Sequence, residues 1–261
     1  LLLGIGAFIY PLAWTIMTSF KPNVEIFSNP WGLPSVLLWE NYLTALKAAN
    51  LLVAIKNTSI VTLSSVALLA LLSPPAAYVI SKPSRWSKTI FYLMVAGMFT
   101  APTVLVIPLY VMIRLLGLTD TYLGLILVYT AGCLPYTILI ELPAFLAIPK
   151  SLEDSARIDG LSLWQTFYMI DLPLAKPAVY TGLIVEGIWI WNEFLYALVL
   201  LRSREMFTIQ LALAVFRGQY SIRLGALAAG IVLSSLPMIF LYIIFSDLVR
   251  RGIAGRVGIK G

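Results

Sequence analysis

No histidine occurs among the 261 residues, which removes the commonest general base and the commonest metal ligand together. A single cysteine, Cys133, lies in an apolar stretch, so there is neither a disulfide framework nor a cysteine cluster for zinc. No Gly-x4-Gly-Lys-Ser/Thr phosphate loop is present, so the chain has no cradle of its own for ATP. Charge is scarce as well. Only 11% of residues are charged, against roughly 25% in an ordinary soluble domain. With 60% hydrophobic residues, a soluble fold would have far more apolar surface than it could hide, so the expected solvent is lipid. The net charge of +6 invites a nucleic-acid reading, but no block of five or six basic residues exists. Basic excess in a membrane protein reports anchoring on the inner side, and no nucleic acid is expected as a partner.

What the chain does contain is a series of long uncharged runs. Residues 1–20 carry no charge, 25 uncharged residues separate Lys56 from Lys82, and another 25 separate Lys88 from Arg114. Residues 121–140 are uncharged, 177–201 carry only Glu186 and Glu193, and 224–246 form a last uncharged run. At a rise of about 1.5 Å per residue, each run is long enough for a hydrocarbon core of roughly 30 Å. The period-2 pattern of barrel strands is missing, so the expected fold is all-α: a polytopic membrane protein of six transmembrane helices in one domain, 1–261. The chain opens at Leu1 rather than Met, so a short preceding segment is expected. Leu1–Phe20 lacks a small-residue cleavage site and is read as a crossing. The run Met206–Phe216 is too short to cross and reads as a re-entrant or interfacial helix within an outer loop, 202–222. Six crossings put both termini on one side. The tight loop 81–88 holds Lys82, Arg85 and Lys88, and the tail 250–261 holds Arg250, Arg251, Arg256 and Lys260, which assigns both to the cytoplasm.

Residues 150–176, KSLEDSARIDGLSLWQTFYMIDLPLAK, mix acid, base and apolar side chains as no other stretch does. Ser151 with Asp154 has capping-box spacing and predicts a helix from Leu152, with Glu153 and Arg157 forming an i, i+4 pair. Gly160 suits the left-handed position that stops a helix. Ser162 with Gln165 then starts a second short helix, expected to end before Pro173. The expectation is a helix–glycine–helix bracket with Leu161, Leu163, Trp164 and Phe167 available for packing.

The run Asp154-Ser155-Ala156, three residues, Gly160, nine residues, Ile170-Asp171-Leu172-Pro173 resembles the Glu-Ala-Ala loop of ABC-importer permeases, departing by Asp for Glu and Ser for Ala. SFKPNVEIFSNPWGLP, NYLTAL, Asn57-Thr58-Ser59, Trp191-Asn192-Glu193-Phe194 and the ending GIAGRVGIKG are similar to segments of the carbohydrate-uptake, maltose-type subfamily, in particular its second permease subunit. The family often has a basic residue near the position of Glu141-Leu142-Pro143. The resemblance implies a non-catalytic permease subunit in a bacterial or archaeal plasma (inner) membrane. It implies that ATP and Mg are bound by two partner ATPase subunits, and that a homologous second permease and an extracytoplasmic solute-binding protein complete the assembly. It makes the bracket a coupling helix, with Glu153, Asp154, Ser155, Ala156, Arg157, Asp159, Gly160, Leu161 and Trp164 as its coupling residues. It also implies a tail contact with the ATPase pair through Gly255, Arg256 and Lys260; the alternative is a disordered basic tail at the membrane surface.

Glu186, Trp189 and Glu193 follow i, i+3, i+7 spacing, and with Asn192 they mark a candidate solute path in which the indole is free to stack on a sugar. The alternative is an interhelical polar clamp, with Glu193 at the outer interface. Asp247 reads as an interfacial salt-bridge partner, and Pro102, Pro108, Pro135 and Pro143 read as structural bends. A rival function, a secondary transporter using Glu186 and Glu193 as a carboxylate relay, has no use for the bracket and no internal repeat behind it.

Overall fold

The computed structural model describes residues 2–216 and 223–254, and every one of its regular elements is helical. Contacts group the chain into two compact units: Leu1–Ser59 with Leu201–Tyr242, and Ile60–Leu200 with Ile243–Gly261.

In the first unit, α1 (Leu2–Ser19) leads through α2 (Asn23–Ser28) and an irregular stretch to α3 (Glu40–Ala48). Polar side chains here fold the segment on itself. The buried Lys21 ammonium donates to the Asn29 carbonyl at 2.8 Å, and the Trp14 indole donates to the Pro30 carbonyl at 2.9 Å. Ser35 donates its N–H and its hydroxyl to the Glu25 carboxylate, each at 2.8 Å. Those bonds hold the Glu25 carboxyl below its usual range. Asn50, at φ 47°, turns the chain into α4 (Leu51–Ser81).

In the second unit, α4 runs on through Pro74 and Pro75 to Ser81. It is followed by α5 (Arg85–Met98), α6 (Pro102–Leu115) and α7 (Tyr122–Leu146). Next come α8 (Lys150–Ile158), α9 (Leu163–Thr166), a π turn (Phe167–Asp171), α10 (Leu172–Asn192) and α11 (Leu195–Leu200). Tyr78, Phe145, Phe167, Ile138 and Val179 form its buried core. Gly182 lets α10 lie close against α7, since a Cβ there would stand 3.2 Å from the Thr137 methyl. α4 and α7 are each long and apolar enough to cross a membrane, and α5 with α6 would make a third crossing if the bent pair is one span.

Three expectations are corrected. The apolar run 89–113 is not one helix but two, α5 and α6, bent by 103°. Pro102 at the start of α6 has no N–H for the preceding turn and keeps Ala101 extended, at φ −60° and ψ 134°. α8 begins at Lys150 rather than Leu152, because Pro149 presets the entry and Ser151 makes no cap. The bracket's second helix does not stop before Pro173. It widens into the π turn and runs on into α10, and the i→i+5 register makes room for the proline ring over Met169.

From Leu201 to Tyr242 the chain is back in the first unit. A 3-10 turn (Arg204–Met206), α12 (Ile209–Leu213) and a second 3-10 turn (Ala214–Phe216) occupy the loop after α11, followed by α13 (Leu224–Ala254). Gly225 is needed at the start of α13: a Cβ would sit 2.6 Å from the Lys21 carbonyl and 2.5 Å from the Asn41 amide nitrogen.

Candidate functional site

The bracket is built from local rules first. At the end of α8, Gly160 takes φ 83°, Leu161 N–H bonds the Ala156 carbonyl at 3.0 Å, and Gly160 N–H bonds the Arg157 carbonyl at 3.1 Å. Those two bonds are the Schellman closure that consumes the orphan carbonyls of a helix end. Ser162 and Gln165 form the expected reciprocal capping box, with Ser162 N–H donating to the Gln165 side chain at 2.8 Å.

This frame sorts the bracket's side chains. Glu153 and Ala156, three residues apart, face inward; Asp154, Ser155, Arg157, Asp159 and Gly160 are exposed, with Leu161 half-buried. Ile158, Leu163, Trp164, Tyr168 and Met169 are exposed, giving a rigid two-helix turn with an open apolar face. Phe167 does not join that face; it packs on Tyr78 with ring centroids 5.0 Å apart. The Glu153–Arg157 pair is not formed either. Glu153 instead receives a hydrogen bond and ion pair from Lys82, just past the end of α4.

The second feature is a cavity of about 440 Å³ between the α5–α6 bend, α7, α10 and α11. Pro102, Leu105, Tyr136, Glu186, Trp189 and Tyr196 are among its lining residues. Glu186 is buried and shares the lining with Cys133, while Trp189 and Tyr136 stay about 40% exposed. Glu186 is the one charged residue in this lining. Asn192 and Glu193 are not brought to it. Asn192 donates to the Ile188 carbonyl at 2.8 Å. Glu193 accepts from Tyr129 Oη at 2.6 Å and from the N–H groups of Tyr196 and Ala197 at 2.9 and 3.3 Å, which caps α11.

Four features escaped the sequence reading. Asn57 and Thr58 were noted only as a motif, yet they anchor the loop after α11. Asn57 donates to the Glu205 and Phe207 carbonyls at 2.7 and 3.0 Å, and Thr58 Oγ1 accepts from Ile209 N–H at 2.9 Å at the start of α12. Glu141 is fully buried in α7 and accepts from Ser73 at 2.8 Å. Asp171 in the π turn is fully buried, and neither of its carboxylate oxygens has a hydrogen-bond partner. The available signal was an acid in an apolar run. Among the described residues no cluster of acids or cysteine has the makings of a metal site. The proposed tail contacts Gly255, Arg256 and Lys260 lie outside the described residues, as does the end of the 202–222 loop.

Comparison with known proteins follows the same lines. The sequence profile described as "Binding-protein-dependent transport system inner membrane component" matches residues 73–255. A probable ABC transporter permease protein of Bacillus subtilis, YurM, is 34% identical over 97% of this chain and 85% of its own length. The diacetylchitobiose uptake system permease protein NgcG of Streptomyces coelicolor is also 34% identical, over 95% of this chain and 82% of its own. Among solved structures, a chain of a bacterial ABC transporter involved in the import of the acidic polysaccharide alginate superposes with a TM-score of 0.77. It is 27% identical and covers 94% of this chain and 93% of that one.

Proposed function

The chain belongs to the family of binding-protein-dependent transport system inner membrane components, and from that premise we propose that it is the permease subunit of an ATP-driven importer of a sugar or sugar-like solute. The observation that carries the reading is the bracket. A glycine-closed, side-chain-capped pair of short helices holds exposed Trp164, Leu163 and Ile158 beside exposed Asp154, Arg157 and Asp159. Apolar anchors ringed by charge are what a protein groove recognises. On this reading the bracket is a coupling helix seated on partner ATPase subunits, which hold ATP and Mg. Six crossings, cytoplasmic termini, a second permease and an outer solute-binding protein complete the assembly.

The solute class rests on the relatives, one of which is named for diacetylchitobiose uptake, and on the cavity. Its volume suits a sugar of one or two rings. Glu186 offers carboxyl oxygens that accept hydrogen bonds from hydroxyls, and the half-exposed Trp189 and Tyr136 offer ring faces.

Purification of the native complex from its own membrane, followed by reconstitution into liposomes, tests the assignment. ATPase chains should accompany this one, and uptake should need ATP together with the solute-binding protein. Solute movement by this chain alone, driven by an ion gradient, would overturn it. In the reconstituted complex, Trp189→Ala should lower sugar uptake about tenfold or more, with ATPase retention unchanged, if the cavity is on the path.

A further inference from the structure

Lys82 lies just past the end of α4, where its side chain meets α8 and the last turn of α4 itself. Its ammonium donates to Glu153 Oε1 of α8 and lies 4.1 Å from the centre of the Tyr78 ring. An ammonium carries three donors, and Glu153 takes one of them. The Tyr78 ring packs in turn against Phe167, the first residue of the π turn, at a tilt of 43°. At the other end of that turn is Asp171, fully buried, with both oxygens unpartnered and within the field of the Lys82 charge. One cation is thus paired with one carboxylate, while a second carboxylate within its field is unpaired. One acid belongs to the bracket's first arm; the other sits where its second arm joins α10.

A buried carboxylate without hydrogen bonds is unfavourable, and proteins keep such groups where they have a use. The π turn adds to this, because single π turns inside α-helices occur frequently at functional sites. We propose that Lys82 is a positioning residue for coupling: its ammonium holds the bracket to α4 through Glu153 and passes to Asp171 when the bracket moves, so that α4 and α10 shift together. The inference rests on the reading of the bracket as the ATPase-coupling element.

The test uses the reconstituted complex, measuring solute-stimulated hydrolysis and the ratio of solute moved to ATP hydrolysed, with co-purified ATPase as the assembly control. Lys82→Gln should lower the transport ratio at least about fivefold, the lower end of ordinary coupling strengths, with the ATPase retained. Lys82→Arg should restore it. Asp171→Asn leaves the Lys82–Glu153 pair in place, so a purely structural tie would be untouched; it should nevertheless lower the ratio as far as Lys82→Gln does. Wild-type coupling in Asp171→Asn would overturn the proposal, and that variant carries the test should Lys82→Gln fail to assemble. The exchange K82E/E153K should stay uncoupled, because an acid at position 82 then faces Asp171; full recovery would also overturn the sharing. Gly160→Val separates the two readings. If it uncouples while the Lys82 and Asp171 variants behave as wild type, this inference alone fails. If it has no effect, the coupling role of the bracket fails, and the inference with it.

Discussion

Asp171 illustrates how a single side chain ties stability to pH. Burial raises its carboxyl above the usual value of 3.8, the Lys82 charge opposes that shift, and Glu153 adds to it. An acid with a raised folded-state value holds its proton more tightly when folded. Its stabilising contribution is therefore complete below 3.8 and is lost as pH rises through the higher folded value. Asp171→Asn should accordingly melt above the wild type at pH 7, with the difference shrinking toward pH 4, as read by tryptophan fluorescence of the purified chain. Relieving a buried unpartnered group is worth about 1–3 kcal/mol, or several degrees in a chain of this size. An equal difference at both pH values would mean that the carboxyl is neutral throughout. Sequence put Glu153 in the right element and gave it the wrong partner. Spacing reveals only neighbours one turn away, whereas Lys82 is 71 residues distant along the chain.

At the scale of the element, the bracket is governed by two short-range rules, and both were legible. Gly160 suits a left-handed stop and takes φ 83°; Ser162 and Gln165 have the spacing of a cap and form one. Gly160→Val tests the element directly. A Cβ there meets nothing within 4 Å, so the penalty is purely conformational, of order 1–2 kcal/mol and greater for a β-branched residue. The expected outcome is normal membrane insertion with uptake and stimulated hydrolysis falling together. Full stimulation would remove the bracket from the mechanism. The Pro173 reading failed for an instructive reason. The rule that makes proline a stop concerns an ordinary α-helical register; one wider turn accommodates it. Pro102 shows the opposite case, a proline taken as a bend inside a crossing that in fact ends one helix and begins another at 103°.

For the molecule as a whole, apolar runs located α4 and α7 within a few residues, because hydropathy is a property of composition alone. The grouping into two units was not legible, since it pairs residues 1–59 with 201–242 across most of the chain. The proposed tail contact gives a prediction at this scale. Deleting Arg256–Gly261 should weaken ATPase retention at low and high salt alike, because backbone seated in a cleft is poorly screened. Loss at high salt only would describe a surface anchor. One consequence of the π turn is mechanical. Because α9, the π turn and α10 run on without a break, Trp164 and Trp189 are mounted on a single rod. Their separation of 25 residues corresponds to roughly 38 Å at the α-helical rise. A tilt of about 5° at the Trp164 end would carry Trp189 through roughly 3 Å, enough to take an indole out of contact with a sugar ring.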